Sequence, residues 1–175
     1  MRKPRTPEVL RKPAAQILRK CKIAEPPVEV DKIAELLGAQ VRYSPFEGEL
    51  AGMLVRSGKQ VIIGVNSLHH TNRQRFTIAH ECGHYLLHKG EDVHIDRTFQ
   101  VNKRDEVSSL AVDADEIEAN RFAAELLMPF DMIMADLRER PIDVENEQDL
   151  KQLAQRYQVS VQAMTHRITN LLDYL

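Results

Sequence analysis

The chain is short of most markers of a specialised protein. Its 175 residues hold two cysteines, Cys21 and Cys82. They lie far apart in sequence, make no disulfide framework, and suit a reducing compartment. Neither sign of charge dominates: 24 lysines and arginines stand against 26 aspartates and glutamates. That balance carries no global signature of nucleic-acid binding. No apolar run approaches a membrane span. The opening MRKPRTPEVLRKP has charge and proline but no apolar core of signal-peptide length. Together these absences predict a soluble, cytoplasmic protein with no membrane partner. A hydrophobic content of 43% supports one core, and a single domain is the expectation at this length.

Against that plain background stands His80-Glu81-Cys82-Gly83-His84. On a helix the two histidines sit one turn apart on one face, so both imidazoles reach the same metal. Glu81, between them, can polarise a metal-bound water without being a ligand. A surface helix carrying two unrelated histidines is the competing reading. The flanking sequence weighs against it. Thr71 and Gln74 form a capping-box pattern, and Phe76, Ile78, Ala79, Leu86 and Leu87 make the segment apolar. Two histidines and a glutamate in a buried helix need partners, and a metal supplies one. Lys89-Gly90 marks the predicted end of the helix.

A catalytic zinc keeps three protein ligands and one open position. Residues Asp115 to Pro129 predict a second helix, acidic in its first turn. Glu118, Arg121 and Glu125 fall on one stripe, read most simply as the solvent face. Glu116, Ala119, Asn120, Ala123 and Leu127 fall on the other. A carboxylate heading a core-facing stripe makes Glu116 the candidate third ligand, favoured over Glu118 on helix-face geometry. An ordinary capping carboxylate remains the simpler alternative.

The stretches RQRFTIAHECGHYLLH and EIEANRFAAELLMP resemble the ImmA/IrrE family of zinc metallopeptidases. The likeness is most specific from about Arg73 to Pro129 and extends loosely from Ala14 to the end. It implies a compact zincin-like α+β domain and a cytoplasmic protease that cuts a DNA-binding repressor, typically in bacterial stress or mobile-element induction. Carried over residue by residue, it implies Zn2+ ligated by His80, His84 and Glu116, with Glu81 as general base. Cys82 falls at a variable position and is read as packing. The expected chemistry is metal-assisted peptide hydrolysis, with Asn120 as a plausible partner for a ligand or for substrate backbone.

Organisation along the chain follows. Residues 1–13 are expected to form a mobile basic arm, 14–140 the zincin-like domain, and 141–175 a helical subdomain packed on it. Ala14 to Cys21 and Val28 to Leu37 read as helices, the second ending at Gly38. Ala39–Tyr43, Ala51–Val55 and Gln60–Val65 read as strands, the last two as a hairpin around Ser57-Gly58. The metal helix should therefore lie against a short mixed or antiparallel sheet, whose edge can hold an extended peptide. Glu91 to Ala114 is long and polar and reads as a surface loop that can include some strand, either a flap or substrate-docking segment or plain disorder. His88, one further turn beyond His84, can approach the site but reads more simply as a helix-end residue. His94 is a weaker candidate for transition-state stabiliser, and neither they nor His69 and His70 are assigned a role.

Phe130–Arg140, Glu147–Tyr157 and Val161–Leu172 read as amphipathic helices, the last with Ser160 as N-cap. Leu150, Leu153, Ala154, Tyr157, Val159, Ala163, Met164, Ile168 and Leu171 have helix-turn-helix spacing. The second helix offers only Arg167 and His166 to DNA, fewer cations than a reading helix normally carries. Packing on the protease domain is the favoured reading, and the expected partner is a protein substrate, a helix-turn-helix repressor. Two other functions stay open: a module that sequesters a repressor without cutting it, and a DNA-binding regulator.

Overall fold

The computed structural model describes residues 2–48, 50–89, 92–96, 110–139, 142–143 and 146–172. Among these, the element order begins with helices α1 (Pro7–Lys20) and α2 (Val30–Leu36) and strands β1 (Ala39–Ser44), β2 (Gly52–Ser57) and β3 (Gln60–Asn66). Helix α3 (Thr71–Leu87), strand β4 (Val93–Asp96) and helices α4 (Leu110–Leu127), α5 (Phe130–Glu139), α6 (Glu147–Tyr157) and α7 (Val161–Leu172) follow. The architecture is mixed α+β and zincin-like, as the sequence predicts.

The sheet has the order β1-β3-β2-β4. β1 runs parallel to β3, while β2 is antiparallel to both β3 and β4, so the sheet is mixed. β2 and β3 form the expected hairpin, with Gly58 at φ 59° in its turn, a left-handed conformation that favours glycine. Gly38, at φ 80°, likewise ends α2, its N–H donating to Glu35 O. One face of the sheet, with Leu54, Ile63 and Val65 fully buried, closes on α3 through Ile78 and Ala79.

Helix α3 begins where the sequence indicates, although by a different device. Thr71 is the first helical residue rather than the cap. His70 caps the helix, its Nδ1 accepting the Asn72 N–H. Gln74 turns instead toward the preceding loop, where its amide donates to the carbonyls of Ser67 and His69. The helix stops at Leu87, two residues before Lys89, with His88 extended as C-cap. Arg56 of β2 donates to the carbonyls of His84 and His88 there, a cation at the negative end of the helix dipole.

The tightest helix–helix contact joins α3 to α4. A Cβ placed on Gly83 would lie 3.1 Å from Ala119 Cα and 3.3 Å from Ala119 O and Phe122 Cδ1. Ala119, Phe122 and Ala123 are fully buried in this seam. Small residues on both helices let the backbones approach, and the metal motif then faces the helix that carries Glu116.

Three expectations are corrected here. The stretch read as a proline-broken mobile arm is helical from Pro7 on. Pro7 occupies a first-turn position, where its missing N–H is no loss, and Leu10, Ala14, Ile17 and Leu18 form a buried stripe. The region up to Ala114, read as a loop with room for some strand, contains the strand β4 but also the first five residues of α4, which begins before the expected Asp115. A flap or docking segment in residues 97–109 lies outside the described residues. The third correction concerns the stripe read as the solvent face of α4. Glu118 and Glu125 are 0% and 1% exposed. α1 and the residues before it cover that face and bring the countercharges. Arg5 N donates to Glu118 at 2.7 Å, and Arg11 approaches Glu125 to 3.8 Å. Arg167 of α7 pairs with Glu125 at 2.7 Å and also donates to Met128 O. Charge periodicity could not show that a segment 113 residues away would cover these carboxylates.

α6 and α7 form a helix pair with Gln158 in the left-handed region between them and Ser160 Oγ accepting the Ala163 N–H. Arg75 of α3 donates to the carbonyls of Tyr157 and Gln158, and Tyr157 OH donates to Asp136 of α5. Thus the pair is bonded to α3, α4 and α5. Replacing Gly83 tests the seam between α3 and α4. Alanine in a helix interior is favoured over glycine by about 1 kcal/mol, yet the new Cβ would press on α4 backbone that cannot rotate aside. Gly83→Ala is expected to lose ~1–3 kcal/mol in urea unfolding. A more stable variant would show that the helices separate freely.

Candidate metal centre

One turn of α3 and the second turn of α4 build the site. His80 and His84 are 2% and 4% exposed, and their Nε2 atoms face each other at 2.9 Å. Glu116 reaches across from α4, with Oε2 at 3.3 Å from His80 Nε2 and Oε1 at 3.2 Å from His84 Nε2. Ligands bound tetrahedrally to zinc at ordinary Zn–N and Zn–O lengths stand about 3.3 Å apart. The three separations fall close to that value. Two imidazole nitrogens and the two oxygens of one carboxylate therefore cluster, and the two-nitrogen, one-carboxylate set is that of a metal site with an open position. The donors fit a metal ion; the arrangement by itself does not choose among divalent ions.

The histidine orientation is fixed from α4. His80 Nδ1 lies 2.9 Å from Asn120 Oδ1. An amide oxygen only accepts, so Nδ1 carries the proton and Nε2 presents its lone pair to the site. Asn120 stands one turn after Glu116, so a single helix face supplies both the carboxylate and the residue that orients its histidine neighbour.

Glu81 is fully buried, and neither of its carboxyl oxygens has a hydrogen-bond partner among the described residues. Burying a carboxyl group unbonded is costly. Its nearest charged neighbour is His94 Nδ1, at 3.4 Å, an ion-pair distance without hydrogen-bond geometry. A fully buried, unbonded carboxyl beside three converging donors suits a group that handles a proton on a water or substrate.

His94, which the sequence left unassigned, joins the site from β4. Its Nε2 lies 2.9 Å from Glu116 Oε1, and its ring centroid 3.9 Å from that of His84. Burial opposes charging His94, but hydrogen bonding to Glu116 and the neighbouring Glu81 carboxyl prevail and raise it to about 10. Burial likewise opposes ionisation of Glu116, and bonds from His80, His84 and His94 hold it far below the ordinary carboxylate range. Burial depresses His84, only partly offset by Glu116, which keeps its imidazole neutral as a ligand must be. The sequence offered His94 only as a weaker candidate: a lone histidine in a polar stretch gains its place only when β4 pairs with β2, Leu54 opposite His94.

His88 also approaches, one turn beyond His84, its Nδ1 3.2 Å from His84 Nδ1. Cys82 is fully buried on the opposite side, and burial pushes its thiol well up, so it remains protonated and packs rather than ligates. His70 caps the start of α3, ten residues before His80.

Fold and donor set together describe a zincin-like domain with a candidate metal centre. A model of the Peptidase_M78 family, described as the IrrE N-terminal-like domain, matches residues 34–169. The chain belongs to this metallopeptidase family. Among solved structures it is similar to a Mycobacterium tuberculosis transcriptional regulator, with TM-score 0.60 and 15% sequence identity over 92% of this chain and 47% of that one. The chain thus spans about half the length of that protein, and at this identity the likeness concerns the fold alone. No curated protein matches the sequence. None of the helices described is long and apolar enough to cross a membrane.

Asn120 provides the test of the site's outer layer. Asn120→Ala removes the acceptor that orients His80 and is expected to weaken metal affinity roughly 10–100-fold. Competition with a chromophoric chelator would measure it, and unchanged affinity would remove Asn120 from the site.

Proposed function

We propose that the protein is a zinc-dependent endopeptidase that cleaves a helix-turn-helix DNA-binding repressor in a bacterial stress or mobile-element switch, acting in the cytoplasm. The observation that carries the enzymatic reading is Glu81: a fully buried carboxyl, unbonded at both oxygens, between two histidines whose Nε2 atoms converge with Glu116. A purely structural metal site has no use for such a group, which costs free energy where it stands.

His80, His84 and Glu116 would hold the ion, which when bound supplies Lewis acidity, lowering the pKa of water to roughly 7 and polarising a peptide carbonyl. Glu81 accepts the proton of the attacking water and returns it to the leaving amine. His94, raised to about 10, is a cationic donor at neutral pH and serves the developing oxyanion. Asn120 keeps His80 aligned throughout. β4 pairs only with β2 among the described residues, so its other edge suits an extended peptide added as a further strand, which would lay the scissile bond beside His94.

Membership of a metallopeptidase family and the fold shared with a protein named a transcriptional regulator support a regulatory setting. Direct DNA reading by α7 has less support. Arg167, one of the two residues it offers to DNA, is 6% exposed and bonded to Glu125 and Met128 O.

Elemental analysis and cleavage assays on candidate repressors decide between a protease and a sequestering module. Glu81→Gln is expected to keep one zinc per chain and lose roughly 10²–10⁴-fold in cleavage rate. His80→Ala should lose the metal, and zinc at full occupancy in that variant would remove His80 as a ligand. A Glu81→Gln protein that still releases the repressor from its operator as well as wild type would establish sequestration instead. For His94→Ala the expectation is retained zinc with kcat lowered about 10²–10³-fold. Unchanged kcat would deny His94 its role.

A further inference from the structure

Beyond the three candidate ligands lies a second group of convergent polar side chains: His88, Asp115 and Glu118. Such a trio resembles a second cation site, but its charges are already met. Arg2 pairs with Asp115 and lies 3.3 Å from Glu118 Oε1, Arg5 Nη1 lies 3.5 Å from Glu118 Oε2, and the Arg5 backbone N–H donates to Oε1 at 2.7 Å. With two guanidinium groups on two carboxylates, a divalent ion there would face repulsion.

The same residues are better explained by what they do to His84. We infer that His88 and Glu118 form a two-step hydrogen-bonded relay that fixes the tautomer and ring orientation of His84, making both of them positioning residues for the metal centre. This rests on the reading of His84 as a zinc ligand and adds the device that holds it.

The proton inventory of the chain of contacts leads there. A carboxylate only accepts, so the 3.2 Å contact between His88 Nε2 and Glu118 Oε2 requires the hydrogen on Nε2. His88 Nδ1 is then the ring nitrogen left to accept a hydrogen bond. That atom lies 3.2 Å from His84 Nδ1; unlike the two Nε2 atoms, which converge with Glu116 where a cation would lie between them, this pair belongs to no shared donor group, so the contact is a hydrogen bond with His84 Nδ1 as donor. His84 Nε2 is left with its lone pair, pointing at His80 Nε2 and Glu116. Burial makes the relay well defined: the side chains of His88 and Glu118 are 5% and 0% exposed. Both metal-facing imidazoles are thus braced from α4, His80 directly by Asn120 and His84 through His88 by Glu118. The far end of the relay is anchored outside α4, by the Arg5 N–H, while Arg121 donates to Arg5 O at 2.7 Å and holds that segment in place. Residues read as a mobile arm therefore reach the metal centre through Glu118.

The test is zinc affinity of the full chain, measured by competition with a chromophoric chelator, together with metal stoichiometry. His88→Leu and Glu118→Ala are each expected to weaken binding roughly 10–100-fold while one zinc per chain still binds at saturation. Because the two act in series, His88→Leu/Glu118→Ala should be no weaker than His88→Leu alone. Conservative variants should recover part of the loss: His88→Asn keeps an acceptor for His84 Nδ1–H, and Glu118→Gln keeps one for His88. Should the apolar variants fail to fold, His88→Asn and Glu118→Gln carry the test, since each is expected to sit measurably below wild type. Long-range ¹H–¹⁵N spectra of the wild type should show His84 with its hydrogen on Nδ1.

Wild-type affinity in the His88 and Glu118 variants, strictly additive losses, or a hydrogen on His84 Nε2 would each overturn the relay. A second zinc equivalent that disappears with His88 would also overturn it, in favour of a cation site. Failure of the underlying reading looks different: wild type would take up no zinc, or His84→Ala would keep it.

Discussion

The close approach of two helices at Gly83 and Ala119 is the constraint on which the rest depends. The motif helix alone provides two imidazoles and a carboxyl group. The third donor must come from elsewhere, and donor atoms on a metal have to meet within a few tenths of an ångström. A side chain at position 83 would hold α4 away by the width of a methyl group, since its Cβ would already stand 3.1 Å from Ala119 Cα. Glycine inside a helix is intrinsically unfavourable. Here it lets Glu116, three residues before Ala119, come within 3.3 Å of both Nε2 atoms.

Once α4 is held there, its charged residues have to be accommodated on every side. Glu116 faces the metal donors, while Glu118 and Glu125 point into the protein on the flank toward α1. A buried carboxylate is tolerated only when paired and hydrogen-bonded. The structure meets this with arginines from three separate parts of the chain: Arg2 and Arg5 ahead of α1, Arg11 within it, and Arg167 on α7. Such pairs add little net stability over apolar packing, yet breaking one strands a charge. They therefore specify how the outer helices dock, and they link the N-terminal segment and the C-terminal helix pair to the helix that carries Glu116.

Much of this was legible in the sequence. The helix carrying His80 and His84 follows from spacing and apolar flanks, and the β2–β3 hairpin from two strand-like apolar runs around Ser57-Gly58. The C-terminal helices α6 and α7 begin and end where periodicity and capping residues place them, because those signals act within one or two turns. Local signals also misled. The Thr71-x-x-Gln74 pattern is a capping box by sequence, whereas His70 is the cap and Gln74 braces the preceding loop. The Glu118–Arg121–Glu125 stripe looked solvent-facing because helical periodicity reports faces without saying what covers them.

What the sequence determined by itself was chemistry with short range: a pair of imidazoles one helical turn apart, a carboxyl group between them, and helices and strands whose ends are marked by residues a few positions away. It also supplied a helix face that favoured Glu116 over Glu118 and a family resemblance that implies the same residue. Only the tertiary structure decided which distant groups meet those atoms. Sheet pairing carries His94 on β4 to Glu116 and Glu81, the α3–α4 seam sets Asn120 on His80, and the segment around Arg5 closes on Glu118 and so on His88. The physical reason is the range of the interactions. Propensity and periodicity act over a turn or two of chain, whereas donor geometry and the pairing of buried charges depend on residues up to 116 positions apart, which only the packed fold brings together.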